Sequence, residues 1–86
     1  MDLSRSLHLP EDVVKHSSII NILGNHSILI ENFKSIMDYK EDFVKIKAKN
    51  RIISIHGERL TIEYYNREEI KINGRMNSIF FEVLRD

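Results

Sequence analysis

Four histidines are the residues of this chain that could hold a metal ion or act as a general base: His8, His16, His26 and His56. None belongs to a ligand spacing such as His-x-Glu-x-His, and the chain has no cysteine to complete a zinc site. His26 and His56 both lie beside glycines and could meet if glycine turns stack, but two exposed turn residues are the simpler interpretation. We therefore expect no metal site and no cofactor.

The sequence also has no motif for nucleophilic catalysis or for phosphate binding. No serine stands in a Gly-x-Ser-x-Gly elbow, and the three glycines are dispersed rather than gathered in a phosphate-binding loop. The acidic pairs at 41 to 42 and 68 to 69 fall where turns are expected, and solvated charge explains them. The sequence therefore predicts a protein that is not an enzyme and has no catalytic residues.

A basic row is the remaining candidate for chemistry, and it consists of Lys45, Lys47, Lys49 and Arg51. Small β barrels bind single-stranded nucleic acid by combining such a row with stacking aromatic side chains, for which Tyr65 is available. The ordinary interpretation is a solvated strand face that discourages edge-to-edge aggregation. Under that interpretation Glu63 and Glu69 would lie opposite the lysines and offset their charge.

The strand that carries the lysines, residues 43 to 49, is the clearest element of the chain. Val44, Ile46 and Ala48 alternate with the three lysines, which is typical of a sheet with one dry and one wet face. A slip of one residue would bury three ammonium groups, each at a cost of several kcal/mol. The register of this strand is therefore strongly specified.

The pattern Ile-x-Ile-x-Gly or its close variant occurs three times, ending at Gly24, Gly57 and Gly74. Each glycine is followed by another alternating run, so we interpret the repeat as strand, glycine turn, strand. A further strand is predicted at residues 34 to 39, with Phe33, Met37 and Tyr39 on one face, and a charged turn follows at residues 40 to 42.

These signals predict an all-β fold, an antiparallel meander of about 7 to 8 short strands that curls into a sandwich or a barrel-like roll. Residues 19 to 86 would form this single β domain. A short β-solenoid is the alternative, because Gly57 and Gly74 lie 17 residues apart. The spacing of 33 residues between Gly24 and Gly57 opposes it.

Residues 1 to 18 show no β alternation. Pro10 followed by Glu11 and Asp12 suits the first turn of a helix, so we expect a short helical or irregular N-terminal arm. The last strand is apolar on both faces, because Phe80 and Leu84 alternate with Ile79 and Phe81. Either the arm covers Phe80 and Leu84, or these two residues form a partner interface.

The composition narrows the classes of function. Thirteen basic and thirteen acidic residues cancel, so the electrostatic footprint of a dedicated nucleic-acid binder or of a polybasic membrane anchor is missing. The absence of cysteine suits a cytosolic protein. No apolar stretch has the length of a signal peptide or a membrane span. We expect a soluble, cytoplasmic chain that does not insert into a membrane.

Several motifs together resemble one family. They are Leu9-Pro-Glu-Asp-Val-Val14, Ile20-x-Ile-Leu-Gly24, Ile30-Glu-Asn-Phe-Lys34, Ile53-x-Ile-x-Gly57 with Leu60-x-Ile62, and Ile70-x-Ile-x-Gly74 with Ile79-x-Phe81. In this order they resemble the YabP/YqfC family of sporulation proteins, and the YqfC type in particular. The family pattern often carries a proline near Ser17 and a glycine near Ser35, where this chain differs.

The resemblance implies an endospore-forming bacterium, expression in the mother cell during sporulation, and no enzymatic activity. The YqfC type is commonly encoded beside an integral membrane sporulation protein, which implies a partner at the membrane around the forespore. The most recognisable motif contains Glu31, Asn32 and Lys34. These residues either contact a partner or fix a bend through hydrogen bonds of Asn32 and an ion pair.

We therefore expect a non-enzymatic assembly or adaptor protein in spore formation, with a protein partner and a homodimer or larger assembly of its own. A small nucleic-acid-binding β barrel that uses the lysine row is the alternative. The two functions differ in the surface they use: Phe80 and Leu84 for a protein partner, the lysines for nucleic acid.

Overall fold

The computed structural model of the protein describes residues 17 to 83. Six strands form one antiparallel sheet: β1 (Ile19–Leu23), β2 (Ser27–Glu31), β3 (Ser35–Tyr39), β4 (Phe43–Lys47), β5 (Arg51–Tyr65) and β6 (Glu69–Val83). Their order in the sheet is β1-β2-β6-β5-β4-β3. Leu84 and all but the last two residues of the expected N-terminal arm lie outside the described residues.

The predicted all-β antiparallel class is confirmed. The alternative of a solenoid is wrong, because every pair of neighbouring strands is antiparallel and all six strands belong to one open sheet. Within residues 17 to 83 no helix has the length and apolar character needed to cross a bilayer.

The predicted number of strands is too high, because two of the three repeat glycines do not form hairpin turns. Gly24 lies in the β1–β2 turn, but Gly57 and Gly74 lie inside the 15-residue strands β5 and β6. The register shifts near Gly57 and again before Thr61, and such bulges bend a strand. Six strands, two of them bent, therefore supply the straight segments that the repeats predicted as separate strands.

Backbone hydrogen bonds hold the hairpin turns of the sheet against these bends. Gly57 donates its N–H to the carbonyl of Asp42 at 3.0 Å, and Gly74 donates to the carbonyl of His26 at 3.0 Å. The β3–β4 turn is thus tied to β5, and the β1–β2 turn is tied to β6. These bonds continue the β4–β5 and β2–β6 ladders into the turns of one open sheet.

The core lies on the inner face of the curled sheet and forms one cluster. Its members are Ile28, Ile30, Val44, Ile46, Ala48, Ile53, Ile55, Leu60, Ile70, Ile72 and Met76. Burying one such isoleucine stabilises the fold by roughly 1.5 to 3 kcal/mol. The alternation predicted for β4 is confirmed, because Val44, Ile46 and Ala48 are buried while the lysines between them point away from the core.

The face predicted for β3 is wrong. A bulge between Ile36 and Asp38 shifts the register against β4, so that Ile36 packs against the core while Met37 stays 49% exposed. Phe33, which precedes the strand, also packs against the core. A single extra residue in an edge strand reverses the phase of every side chain beyond it, which a regular alternation cannot reveal.

Candidate protein interface

The solvent side of β4 and of the adjoining ends of β5 and β6 carries aromatic side chains. We call it the aromatic face and define it by Phe43, Lys45, Ser54, His56 and Phe80. The register places Phe43 opposite His56, and Ser54 opposite both Lys45 and Phe80. The residues between them, such as Val44 and Ile55, point into the core. The aromatic face is therefore the outer side of the part of the sheet that contains β4.

Three rings form a continuous stack across this face. The ring centroids of Phe43 and His56 lie 6.0 Å apart, and those of His56 and Phe80 lie 5.1 Å apart with planes 11° from parallel. The ammonium nitrogen of Lys40 lies 5.4 Å from the centroid of Phe43, within the range of a cation–π interaction. Cross-strand neighbours of this kind fix one another's rotamers, so the stack is a preformed surface.

Two polar atoms of the aromatic face are buried without partners. Ser54 is fully buried beside Lys45 and Phe80, and neither its Oγ nor the Nε2 of His56 has a hydrogen-bond partner in the described part of the chain. A buried polar atom without a partner costs about 1 to 3 kcal/mol. Both atoms are shielded from solvent, so this cost falls on the fold itself.

The prediction that His56 is an exposed turn residue is wrong. His56 lies inside β5 and is half-buried between two rings, because Gly57 continues the strand instead of ending it. His26 does lie in an exposed turn, as predicted. Between residues 17 and 83 no three His, Asp or Glu side chains are grouped so that they could hold a metal ion.

The last strand has exposed aromatic side chains on both sides. Phe80 is 42% exposed on the aromatic face, and Phe81 is 57% exposed on the opposite side. A groove of about 430 Å³ lies on that opposite side, with Ile20, Ile53 and Phe81 among its apolar lining residues. Phe80 thus belongs to a surface that the described residues leave uncovered.

The basic row is divided between two surfaces. Lys45 and Lys47 alternate with the core residues of β4 and border the aromatic face, whereas Lys49 and Arg51 line the groove beside Phe81. The division arises because the chain turns between β4 and β5, where Ala48 donates its N–H to the carbonyl of Arg51 at 2.8 Å. The row therefore does not form one continuous basic face.

The acidic residues that lie near the lysines are not the ones that the sequence predicted. Glu63 lies 3.3 Å from Lys71, and Tyr65 ends β5 beyond the bend, so both belong to the other end of that strand. Asp38 faces Lys45 across the β3–β4 pair, and the carboxylate of Glu82 lies 4.0 Å from the ammonium of Lys45.

The motif at the end of β2 forms a bend centred on Asn32, which has a φ of 64°. Its N–H donates to the carbonyl of Glu68, and its Nδ2 donates to the carbonyl of Ser17 at 3.0 Å. Neither Glu31 nor Lys34 forms an ion pair with another residue of the 17 to 83 range. Hydrogen bonds of Asn32 thus join the entry to β1 with the β5–β6 turn, and the expected ion pair is missing among these residues.

Sequence reasoning singled out Phe80 but missed Phe43, Ser54 and His56. A signal for Phe43 exists, because it shares the wet phase of β4 with Lys45 and Lys47, where a phenylalanine is out of place. No local signal reveals that His56 stacks on Phe80, since that contact depends on how the bulged strands β5 and β6 align.

Comparison with known proteins shows which family the chain belongs to. Residues 14 to 85 match the model of the YabP family. The chain belongs to the YabP family. Among curated proteins, the uncharacterized protein YqfC of Bacillus subtilis strain 168 is 29% identical over 77 residues, which cover 90% of this chain and 83% of that protein. No solved structure gave a significant match.

The YabP family match confirms the family expected from the motifs. Membership is consistent with a role related to sporulation. The matched range includes all six strands, so the aromatic face and the Asn32 bend both lie within the family domain.

Proposed function

We propose that the protein is a non-enzymatic assembly or adaptor protein in bacterial endospore formation and that its aromatic face docks a protein partner. The observation that carries this proposal is the Phe43–His56–Phe80 ring stack on the sheet, in which Phe80 is 42% exposed. Protein interfaces are enriched in aromatic residues at their centres, where water is excluded on binding.

The chemistry of the face defines the partner that would fit it. An apolar side chain would pack on Phe80 and Phe43, and an acidic group would lie near Lys40. Family resemblance points to the cytoplasmic part of a membrane sporulation protein, in the mother cell at the membrane around the forespore.

The test is affinity capture of the tagged protein from sporulating cells after the membranes are solubilised. We expect wild type to recover a stoichiometric sporulation protein and Phe80→Asp to lose it. Tyr65→Asp is the matched control, because Tyr65 is 64% exposed but lies at the far end of β5. Circular dichroism and urea unfolding of each variant establish that the fold is intact. If Phe80→Asp recovered as much partner as the wild type, the aromatic face would not be the docking surface.

A nucleic-acid-binding function has one specific observation in its favour. Lys45 and Lys47 share a side of the sheet with Phe43 and Phe80. Proteins bind single-stranded nucleic acid with such a combination of basic and aromatic side chains. Against it, Asp38 faces Lys45 and Glu82 lies near it. Salt-sensitive binding of single-stranded RNA that is abolished by the double variant Lys45→Glu/Lys47→Glu would assign the face to nucleic acid instead.

A further inference from the structure

The two edges of the sheet are built differently. The edge strand β3 carries a bulge between Ile36 and Asp38 and is flanked by Lys34 and Lys40, and both devices prevent an edge from pairing with another strand. The edge strand β1 has the sequence Ile-Ile-Asn-Ile-Leu and pairs with β2 without a register shift. It contains no charge, no proline and no bulge. Its outer side pairs with no strand within the described range.

The apolar side chains of the core continue onto β1, and at this edge some of them are exposed to solvent. Ile22 lies opposite the fully buried Ile28, yet Ile22 is 54% exposed because no strand of residues 17 to 83 lies beyond it. Leu23 is 72% exposed. Ile20, by contrast, packs against the core cluster. A strand added at this edge would continue the hydrogen-bond ladder and cover Ile22.

We propose that β1 pairs antiparallel with β1 of a second copy of this chain, about a two-fold axis at Asn21. The sequence of β1 is self-complementary around that residue. Ile20 would lie opposite Ile22 of the second copy, and Ile19 opposite Leu23 of the second copy. Asn21 would face its own counterpart, and two amide groups can donate to and accept from each other. A two-fold interface requires such self-complementarity.

This pairing joins the two six-stranded sheets into one continuous sheet. Because side chains alternate across a strand, Ile20 and Ile22 of both copies lie on the same side as Ile28 and Ile30, and the apolar rows merge. A strand of a different protein could add to the same edge, but it would not need the symmetric arrangement of apolar residues around Asn21. The pairing uses no residue of the aromatic face and does not depend on the proposed function.

Single cysteines test the pairing and its register, because the chain has no cysteine of its own. In an antiparallel pair, directly opposed Cα atoms lie about 4.5 to 5.5 Å apart, which suits a disulfide. Asn21→Cys should therefore form a disulfide-linked dimer on mild oxidation. Leu23→Cys should not, because a rise of roughly 3.3 Å per residue separates its two copies by about 14 Å. Met37→Cys, at the protected edge, is the matched control and should stay reduced.

Sedimentation velocity provides the second measurement. Wild type and Met37→Lys should be dimeric, and Leu23→Lys should be monomeric with the circular-dichroism spectrum of the wild type, since Leu23 is exposed. A monomeric wild type at high concentration would overturn the proposal. So would a disulfide that forms as readily at position 23 or 37 as at position 21.

Discussion

The backbone of Gly57 passes so close to Arg75 that a Cβ atom at position 57 would overlap the Arg75 carbonyl oxygen. This approach occurs where β5 and β6 bend together, and the relevant atom belongs to the backbone, which cannot rotate away. Gly57→Ala should therefore lower the free energy of unfolding by roughly 3 kcal/mol or more. Urea unfolding followed by circular dichroism measures the change.

Gly24 provides the matched control for this prediction. It has a φ of 55°, but a Cβ there would meet only the side chain of His26, at 3.4 Å. Asparagine adopts positive φ readily, so Gly24→Asn should unfold close to the wild-type urea concentration. A Gly57→Ala protein as stable as Gly24→Asn would contradict the close packing of the bend.

The elements whose register is set by charge could be predicted from the sequence. In β4 and the two residues after it, three alternating lysines allow only one face to be buried, and the structure has that face. The turn at 66 to 68 is equally local, because the Oδ1 of Asn66 accepts hydrogen bonds from the N–H groups of Glu68 and Glu69. Local chemistry was sufficient in both cases.

Contacts between distant residues could not be predicted. The Ile-x-Ile-x-Gly pattern is the same before Gly57 and Gly74, which lie inside strands, and before Gly24, which lies in a turn. The difference arises because β5 and β6 approach each other closely at Gly57 and Gly74, and the sequence near each glycine does not encode that approach. The stack of His56 on Phe80 depends on how these bulged strands align, so sequence reasoning did not reveal it.

Asn32 should tolerate glycine better than alanine. Asn32→Gly retains the φ of 64° but loses the hydrogen bond to the Ser17 carbonyl, which is worth about 0.5 to 1.5 kcal/mol. Asn32→Ala loses the same bond and adds about 1 to 2 kcal/mol for a left-handed conformation. Urea midpoints should therefore fall in the order wild type, Asn32→Gly, Asn32→Ala. Equal midpoints for the two variants would show that the bend imposes no backbone strain.

Ser54→Ala should leave the free energy of unfolding unchanged or raise it by up to about 1 kcal/mol, because the variant removes a buried hydroxyl that has no partner among the described residues. Ser78→Ala is the control, since Ser78 lies on the same side of the sheet but is exposed. A clear loss of stability in Ser54→Ala would mean that the hydroxyl forms a hydrogen bond in solution.

The carboxylate of Glu63 should make the stability of the fold decrease more steeply as the pH falls. Its Oε1 accepts a hydrogen bond from the Nδ2 of Asn73 at 3.1 Å, and this bond, together with Lys71 at 3.3 Å, lowers the pKa of Glu63 below its ordinary value of 4.5. A carboxyl whose pKa is lower in the folded state stabilises the fold above its unfolded pKa. That contribution is lost as the pH falls through the folded value.

Glu63→Gln should therefore reduce stability at neutral pH and have less effect as the pH falls below 4.5 and through the folded pKa, where the wild-type carboxyl gains a proton. The measurement is the urea midpoint as a function of pH, with an NMR titration of the Glu63 carboxyl beside it. Glu58→Gln is the matched control, because Glu58 is exposed and its side chain has no ion pair or hydrogen bond with another described residue. An NMR titration midpoint for Glu63 at or above 4.5 would show that Asn73 and Lys71 do not hold the carboxylate in solution.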